Sequence, residues 1–504
     1  MQLHDNKKFL ELKKKKKEFL QFDIAASAAK PNRAKKFIFS FQDLILDISR
    51  QRIPTEALDK FLSLGNSQNI KVSIGKLFEG TFHNITENVN VTHFLERNPK
   101  YFSRTRTQRY LDFESLLKRK AIKKLINVGI GGSDLGSKMV YQALKSNNKL
   151  PDLLNVSNVD PRSIHDAISA INPKEIFFIF NSKSFKTEET LANLDLIKEW
   201  MQNNKIDFND HACAVTSFPK NAVENGFKKE NIFVVDRGVG GRFSLWSDFG
   251  LGLVGSLGTN VFRELVSGAH SMDVHFLREK LDKNLPYILG LTRIWNRNIL
   301  DFSSLGIIPY DEGLKFFHAW VQQVEMESNG KNIDTEGRDL RNPTSPMVFG
   351  GVGTDAQHSF FQALHQGLEI IPIEILIPTT PDFSTYSFKN SKLNHSKLVN
   401  NALAQSESLM LGDSGKKGKF GRFNGGRPST LISWNKTDAT SLGRLLSLYE
   451  NTSIVSGLLW GVNSFDQFGV ELGKKIAKNI SSGKDRSKLS SAGKEFLGKV
   501  GLSG

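Results

Sequence analysis

The side chain of Glu327 is placed where a carboxylate can act as a base. It closes a strongly helical run, Leu314 to Glu327, and an Asn-Gly pair that breaks helices follows after one serine. Gln323 precedes it by four residues, so both side chains leave the same helix face one turn apart. A carboxylate held beside an amide at a helix end can take up and return a proton. A solvated acid is the ordinary alternative, and it is favoured unless other motifs support catalysis.

An anion site is predicted where a hydroxyl-rich run joins a strand to a helix. The run SKSFKTEET, residues 182 to 190, follows an apolar strand and opens a helix. Its hydroxyls, its two lysines and the free N–H groups of the first helical turn would converge where the helix dipole favours negative charge. This combination suits a phosphate group. A simple helix cap, made by Thr187, is the alternative.

Two glycine-rich turns supply further candidates. The first, GIGGSDLG at residues 129 to 136, joins a strand to a helix. A dinucleotide-binding fingerprint would need glycine where Asp134 stands, so the turn is better interpreted as a close backbone approach to another ligand. The second, GGRFSLWS at residues 240 to 247, presents Arg242, whose permanent charge suits a developing oxyanion. A structural ion pair of Arg242 is the alternative.

Two histidines and a lysine are the remaining candidates. His358, Gln362 and His365 fall at i, i+4 and i+7 of a predicted helix, hence on one face. Histidines two turns apart are poorly placed to share a metal, and no third ligand is evident, so proton transfer is the better interpretation of His358. Gln467 and Lys474 are also seven apart, on the last predicted helix, where a solvated lysine is the ordinary alternative.

Taken together, these motifs resemble those of the glucose-6-phosphate isomerase family. The segments GIGGSDLG, SKSFKTEET, GGRFSLWS, MESNGK, GTDAQHSFFQALHQG and FDQFGVELGK occur in the order found in that family, between about Asn127 and Lys474. The resemblance implies an α/β fold of two sugar-isomerase-type (SIS) α/β/α sandwich domains with parallel-type sheets, a helical N-terminal region and C-terminal helices. It also implies an aldose–ketose isomerisation that uses no metal and no organic cofactor.

The resemblance assigns a role to each candidate. Glu327 would carry a proton between C2 and C1 of the sugar through a cis-enediolate, which Arg242 would stabilise. His358 and Lys474 would open the sugar ring. Hydroxyls of the SKSFKTEET run would grip the phosphate. The residues that match the family's substrate and phosphate contacts are Ser133, Ser182, Lys183, Ser184, Thr187, Gln323 and Gln467.

The chain departs from the family's pattern at a few positions. Ser184 stands where threonine is usual, and the hydroxyl is kept. Asp355 and Ala356 replace Asn-Gly, and residues 349 to 352 replace a Trp-Gly-Glu-Pro sequence. These changes leave His358 intact and affect the loop that precedes it. A further change, a phenylalanine for a tryptophan directly after Gln467, is modest.

Short apolar runs separated by helical patterns predict the domain order. Residues 1–100 are interpreted as a helical region that packs on the second domain. The first SIS domain is predicted over residues 101–255 and the second over 256–480, and residues 481–504 form a C-terminal tail.

The predicted elements alternate as βαβ units require. The predicted strands are Leu125–Ile130, Leu153–Ser157, Ile176–Asn181, Ala212–Thr216, Ile232–Val235, Ile307–Pro309, Pro346–Phe349, Ile370–Ile377 and Thr430–Trp434. The predicted helices include Lys8–Phe22, Lys36–Arg50, Pro54–Leu64, Asp134–Lys145, Glu188–Gln202, Glu312–Glu327, Asp355–His365, Ser391–Leu411, Ser441–Gly461 and Asp466–Ile480.

Composition limits the remaining possibilities. At 504 residues the chain exceeds the ~250–300 residues at which single cores stop growing. The single cysteine, Cys213, excludes a disulfide within the chain, so a reducing compartment is natural. No run reaches the ~20 apolar residues of a membrane span. After the run Lys13–Lys17, Gln21 and Asp23 interrupt the apolar stretch that export requires, so a cytoplasmic location is predicted.

The net charge of +16, from 68 Lys and Arg against 52 Asp and Glu, is compatible with a small phosphorylated substrate. No basic stripe is interleaved with aromatic residues, so nucleic acid is not predicted as a partner. The resemblance implies interconversion of D-glucose 6-phosphate and D-fructose 6-phosphate in glycolysis and gluconeogenesis. It further implies a homodimer whose site is completed by the partner's histidine.

Two alternatives remain at this point. One is an isomerase that also accepts mannose 6-phosphate, and the other is a sugar-phosphate-binding SIS regulator without catalysis. The complete set of Glu327, His358, Arg242 and Lys474 argues against the regulator.

Overall fold

The fold is described from a computed structural model that covers residues 2–67, 69–100, 102–145, 150–169, 171–381, 388–415, 418–481 and 489–501. The chain divides into two compact units, residues 1–464 and residues 465–504. Within these described residues, no helix is both long enough and apolar enough to cross a membrane.

The first sheet lies in the N-terminal half of the large unit, and all its strands are parallel. Continuous apolar runs such as Ile176–Asn181 form these strands because both faces of the sheet are covered. The predicted strands of this region are confirmed, with ends that differ by no more than two residues. In order across the sheet the strands are Asp152–Val156, Lys124–Val128, Ile176–Asn181, Ala212–Thr216 and Ile232–Val234.

Helices cover both faces of the first sheet. On one face Phe178 and Phe180 pack against Leu194 and Ile197 of the helix Glu188–Asn203. On the other face lies the helix Leu251–Leu257, whose glycines allow close contact. A Cβ added at Gly255 would lie 2.5 Å from Leu125, and one added at Gly252 would lie 3.0 Å from Leu153. The first domain is therefore an α/β/α sandwich.

The second sheet combines parallel strands with an antiparallel hairpin. Successive side chains along its strands point to opposite faces of the sheet, and both faces are covered. Ile373, Ile375 and Ile377 contribute to one core cluster with residues of the flanking helices, whereas Glu374 reaches Arg293 of the helix Leu285–Ile294 on the other face. In order across the sheet the strands are Ile38–Phe41, Leu44–Asp47, Ser429–Trp434, Ile373–Pro378, Ser304–Pro309 and Met347–Gly350.

The helix predicted over Lys36–Arg50 is wrong, because most of this segment is the hairpin of the second sheet. Ile38–Phe41 pairs with Leu44–Asp47, and Gln42 in the turn between them has a φ of +54°. The second of these strands pairs in turn with Ser429–Trp434. This long-range pairing, together with β-favouring Ile and Phe residues, outweighs local helix preference. Part of the N-terminal region thus belongs to the second sheet.

The helix Ala439–Trp460 forms the buried axis of the large unit. It lies against Thr259–Arg278 so closely that a Cβ on Gly443 would be 2.0 Å from the carbonyl oxygen of Leu265. It also contacts Leu285–Ile294. These contacts connect the helices beneath both sheets.

The remaining α-helices of the large unit are mostly short. They are Lys7–Lys14, Lys16–Leu20, Ile24–Ala28, Pro31–Phe37, Leu58–Leu62, Ile70–Phe78, His93–Arg97, Arg104–Arg119, Leu135–Leu144, Pro161–Ile168, Phe208–His211, Pro219–Glu224, Phe317–Gln322, Gly353–Gln357, Phe361–Gln366 and Ser391–Leu411. A small hairpin pairs His83–Asn84 with Val89–Asn90. The small unit contains Phe468–Val470, a 3₁₀ turn, and the helices Glu471–Ser481 and Ser491–Lys499.

Three predicted helices are interrupted at candidate residues. The helix predicted over Glu312–Glu327 is a 3₁₀ turn, an α-helix and then a π-helix over Gln323–Glu327. The helix predicted over Asp355–His365 is broken after Gln357, so His358, Gln362 and His365 do not share the face of one helix. In the small unit Gln467 precedes the helix Glu471–Ser481, so the predicted common helix face with Lys474 is also wrong.

Candidate active site

The two glycine-rich turns meet backbone to backbone. A Cβ added at Gly132 would lie 2.2 Å from the carbonyl carbon of Gly241 and 2.3 Å from its oxygen, so only glycine fits. The Ser244 hydroxyl also donates to the Gly132 carbonyl at 3.4 Å. The contact brings the turn that carries Ser133 against the turn that carries Arg242. The backbone of the first turn was predicted to approach a ligand closely, and at Gly132 it instead approaches the backbone of the second turn.

Arg242 is a buried cation whose guanidinium is fixed on several sides. Its side chain is only 1% exposed. Its Nε donates to the Ser328 hydroxyl at 2.6 Å, and its Nη2 donates to the backbone carbonyl of Ser464. Its Nη1 lies 3.4 Å from Oε1 of Glu327. These contacts fix the guanidinium, and it faces the carboxylate that the sequence predicts to be the base.

The Glu327 carboxylate remains accessible, because 23% of its side chain is exposed. It lies in the π-helix Gln323–Glu327, and the helical backbone continues through Asn329. Single π-turns of this kind are frequent at functional sites. Gln323 extends from the same turn towards the first glycine-rich turn, since a Cβ added at Gly131 would lie 3.0 Å from its Nε2 atom. Gln323, Glu327 and Arg242 are thus gathered around the two glycine-rich turns.

A buried network of ion pairs and hydrogen bonds holds the π-helix Gln323–Glu327 through Glu325. Glu325, two residues before Glu327, accepts hydrogen bonds from Arg293 at 2.9 Å and from the Ser453 hydroxyl at 2.6 Å. Arg293 also donates to both oxygens of Glu374, at 2.9 and 3.1 Å. Burial opposes the charge of Arg293, but the two carboxylates raise its pKa above the usual value. The network fixes the backbone that carries Glu327.

A second buried network anchors the segment that follows Arg242. Trp246 ends the 3₁₀ run Gly241–Trp246, and its indole N–H donates to Glu450 at 2.9 Å. Arg97 donates to Glu450 and also to Asp273, at 2.7 Å for the latter. Burial raises the pKa of the Glu450 carboxyl from 4.5 to about 7, although the Arg97 charge opposes this shift. Both ends of the Gly241–Trp246 segment are therefore fixed.

The hydroxyl-rich run forms a compact loop at the carboxyl end of the strand Ile176–Asn181. The Ser182 and Thr187 hydroxyls lie 3.1 Å apart, and the Ser182 hydroxyl also accepts from the N–H of Phe185. Phe185 has a φ of +50°, an uncommon value for a bulky residue. A backbone outlier of this kind is often found at ligand-binding loops.

The loop geometry favours the anion site over a simple cap. Thr187 is the N-cap residue of the sixteen-residue helix Glu188–Asn203, yet its side chain makes no capping hydrogen bond. The first turn of this helix is therefore not closed by the side chain of Thr187, and its dipole favours an anion there. The Ser184 hydroxyl accepts from the N–H of Lys186 at 3.2 Å, and Lys183 extends its ammonium to Glu87 at 3.3 Å.

The structure does not bring the candidate histidine to the base. His358 is exposed, and no hydrogen bond or ion pair joins its ring to another of the described residues. His365 instead bonds Gln405 at 3.0 Å and packs edge-on against Phe423, so it has a structural role. No group of three His, Cys, Asp or Glu side chains suited to a metal occurs among the described residues.

Two further candidates, Lys474 and Gln467, lie in the small unit. Lys474 lies on the helix Glu471–Ser481, 57% exposed, with its ammonium 3.2 Å from the Glu471 carboxylate. Gln467 lies just before the 3₁₀ turn Phe468–Val470. Their proposed contacts with the substrate stay predictions.

Sequence reasoning missed the residues that hold the candidates in place. Ser328 was identifiable only as the neighbour of Glu327, and the Ser464 carbonyl carries no sequence signal at all. The buried partner Arg293 belongs to an apolar helical run that indicates a core rather than a site, and Glu325 was passed over beside Glu327 in the same helical run.

Comparison with known proteins identifies the family of this chain. The model of the phosphoglucose isomerase family matches residues 116–495. The chain is 37% identical to a glucose-6-phosphate isomerase of Chlorobium phaeobacteroides, over 90% of this chain and 88% of the relative. It is 36% identical to that of Buchnera aphidicola, over 89% and 87%. The chain belongs to the phosphoglucose isomerase family.

A solved structure leads to the same conclusion for the fold. The crystal structure of a glucose-6-phosphate isomerase from Chlamydia trachomatis is 29% identical, with a TM-score of 0.90, and the match covers 99% of this chain and 100% of that one. The resemblance noted from the motifs and the predicted α/β fold class are both confirmed.

Proposed function

We propose that this chain interconverts D-glucose 6-phosphate and D-fructose 6-phosphate as an aldose–ketose isomerase. One observation carries the proposal: the accessible Glu327 carboxylate lies 3.4 Å from the buried guanidinium of Arg242. Family membership supports the reaction class and places it in glycolysis and gluconeogenesis. Neither alternative, an isomerase that also accepts mannose 6-phosphate or a non-catalytic regulator, is favoured by an observation on this chain.

The reaction needs a base and a fixed positive charge. Glu327 takes the proton from C2 of the open-chain aldose, and the electron pair of that bond forms the C1–C2 double bond of an enediolate. Negative charge develops on the sugar oxygen, where the fixed charge of Arg242 stabilises it without reorganisation. The proton of the C2 hydroxyl passes to the oxygen on C1, Glu327 returns its proton to C1, and the C2 oxygen becomes the carbonyl of the ketose. Positioned proton transfer of this kind contributes typically ~10²–10⁴-fold.

The phosphate is proposed to bind at the loop that precedes the helix Glu188–Asn203. Ser182, Ser184 and Thr187 offer hydroxyl donors there, and Lys183 offers a positive charge. Ser133 and Gln323 are proposed to contact the sugar from the glycine-rich turn and from the π-turn.

Ring opening is proposed to involve a histidine from a second subunit. His358 is exposed in its own chain and does not contact Glu327 or Arg242, as expected if it serves the other site of a homodimer. Lys474 and Gln467 are proposed as further contributors to ring opening and substrate contact. The enzyme is proposed to act in the cytoplasm, in keeping with a free buried thiol at Cys213.

A coupled assay tests the proposal. The purified chain is supplied with fructose 6-phosphate, and glucose 6-phosphate is detected through a dehydrogenase that reduces NADP. We expect turnover that survives exhaustive EDTA treatment and is lost in Glu327→Gln. Mannose 6-phosphate, supplied in parallel, tests for the wider specificity. Binding of fructose 6-phosphate without turnover would favour a regulator and contradict the proposal.

A further inference from the structure

A short hairpin reaches the proposed phosphate loop through one ion pair. The strands His83–Asn84 and Val89–Asn90 are joined by a turn that carries Glu87. The Glu87 Oε2 atom lies 3.3 Å from Nζ of Lys183. The two side chains are 32% and 30% exposed, so both remain within reach of a ligand that enters from solvent.

The hairpin is held in place by contacts on its two sides that do not involve Glu87. On one side the Thr92 hydroxyl donates to Asp236 at 2.6 Å, and a Cβ added at Gly238 would lie 1.9 Å from the carbonyl oxygen of Asn90. On the other side the Asn463 amide donates to Asn84 at 2.8 Å. The position of Glu87 therefore does not depend on its pair with Lys183, and the carboxylate stays near the loop when that pair opens.

We propose that Glu87 is an internal competitor of the substrate phosphate for Lys183. The inference rests on the proposed function, because it takes the SKSFKTEET loop as the phosphate site. A carboxylate with one negative charge holds Lys183 in the absence of ligand. A sugar phosphate carries more charge and also bonds the Ser182 and Thr187 hydroxyls, so it displaces Glu87 from the ammonium.

The consequence is a phosphate affinity lower than the loop alone would give. Binding has to break the Glu87–Lys183 pair, and the nearby carboxylate then repels the bound phosphate. The same repulsion favours release of product. Glu87 thus sets the balance between affinity and release, and it does so without touching the carbon skeleton on which Glu327 acts.

The test compares Glu87→Gln with a matched control. Glu87→Gln should lower the KM for fructose 6-phosphate and the inhibition constant of inorganic phosphate by roughly two- to fivefold, the effect expected of a partly exposed ion pair. Glu175→Gln is the control, because Glu175 pairs with Lys123 at 2.7 Å at the opposite, amino end of the same sheet. It should leave both constants unchanged. Added salt should reduce the difference between wild type and Glu87→Gln in both the KM and the inhibition constant, because it screens the charge of Glu87.

A double-substitution cycle shows whether Glu87 acts through Lys183. Lys183→Gln alone should raise the phosphate inhibition constant, and adding Glu87→Gln to it should produce a much smaller change than in the wild type. Unchanged or raised constants in folded Glu87→Gln would overturn the inference, as would a full effect of Glu87→Gln in the Lys183→Gln background.

The failure of the proposed phosphate site gives a different result. If inorganic phosphate competes with fructose 6-phosphate in the wild type but Lys183→Gln leaves the inhibition unchanged, the phosphate lies elsewhere and the proposed site is wrong. If Lys183→Gln weakens inhibition while Glu87→Gln does nothing, the phosphate site stands and only the role of Glu87 fails.

Discussion

The contact between the two glycine-rich turns can be disrupted by a single methyl group. In Gly132→Ala the new Cβ would lie 2.2 Å from the carbonyl carbon of Gly241. Ordinary carbon contacts begin at about 3.5 Å, so the turns must separate by about 1.3 Å. Arg242 directly follows Gly241, and its guanidinium must then move relative to Glu327 or strain its bonds to Ser328.

The expected loss of activity is large because the site depends on geometry. A misplacement of about 1 Å in catalytic groups typically costs ~10²-fold in rate. We therefore expect Gly132→Ala to lose about 10²-fold in kcat/KM. Overpacking of a close contact costs about 1–3 kcal/mol, so the free energy of unfolding should fall by that amount while the chain remains folded.

The measurement pairs the coupled isomerase assay with denaturant unfolding. Gly136→Ala is the matched control, since it makes the same chemical change in the same motif. A Cβ there would come no closer than 3.4 Å to Leu245, and alanine favours the helix Leu135–Leu144. It should keep wild-type activity. Near-normal kcat/KM in Gly132→Ala would show that the turns do not set the position of Arg242.

Three further predictions follow from the site and its supports. Glu327→Gln should lose at least ~10²-fold in turnover and exchange almost no C2 hydrogen with D₂O, yet still speed anomer interconversion; wild-type exchange would mean another base. Mixing inactive Glu327→Gln and His358→Ala subunits should restore part of the activity after subunit exchange, and no recovery despite proven exchange would contradict a shared site. Because burial raises the pKa of Glu450 from 4.5 to about 7, the folded chain retains a proton that the unfolded chain has released. The stabilisation from this proton is fully present below pH 4.5 and is lost as pH rises through about 7. The free energy of unfolding of the wild type, relative to that of Glu450→Gln, should therefore fall between about pH 5 and pH 8. A difference that does not change with pH would contradict this prediction.

Local patterns were sufficient to predict the parallel strands and the individual motifs. The apolar runs that become parallel strands, such as Ile176–Asn181, are covered on both faces, so their composition alone identifies them. The glycine-rich turns and the hydroxyl-rich loop were likewise recognisable, because each joins a strand to a helix within a few residues. In these segments local preference and tertiary structure agree.

The sequence could not predict features that depend on distant partners. The local pattern of Ile38–Phe41 and Leu44–Asp47 predicts a helix, whereas Leu44–Asp47 pairs with Ser429–Trp434, a strand almost four hundred positions away. The π-turn at Glu327 depends on Arg293 beneath it, and the break at His358 separates two helices that the spacing had joined. No local pattern records such contacts.

Three buried arginines around the site differ in the exposure of the carboxylates that they face. Arg97 pairs with Asp273 and Glu450, and Arg293 pairs with Glu325 and Glu374. Each of these cations is matched by two buried carboxylates.

Arg242 has a different arrangement. Its Nε and Nη2 atoms bond a hydroxyl and a carbonyl, which are neutral, and Glu327 stands 3.4 Å away with part of its side chain open to solvent. A guanidinium that faces a partly exposed carboxylate presents its positive charge to an anion that forms beside it. Because that charge faces the carboxylate that is proposed to remove the proton, the proposed enediolate would form between the base and the cation that stabilises it. The two buried networks that hold Glu325 and Trp246 fix the distance between Arg242 and Glu327. A site built from short turns needs these buried charges because the turns alone would not fix that distance.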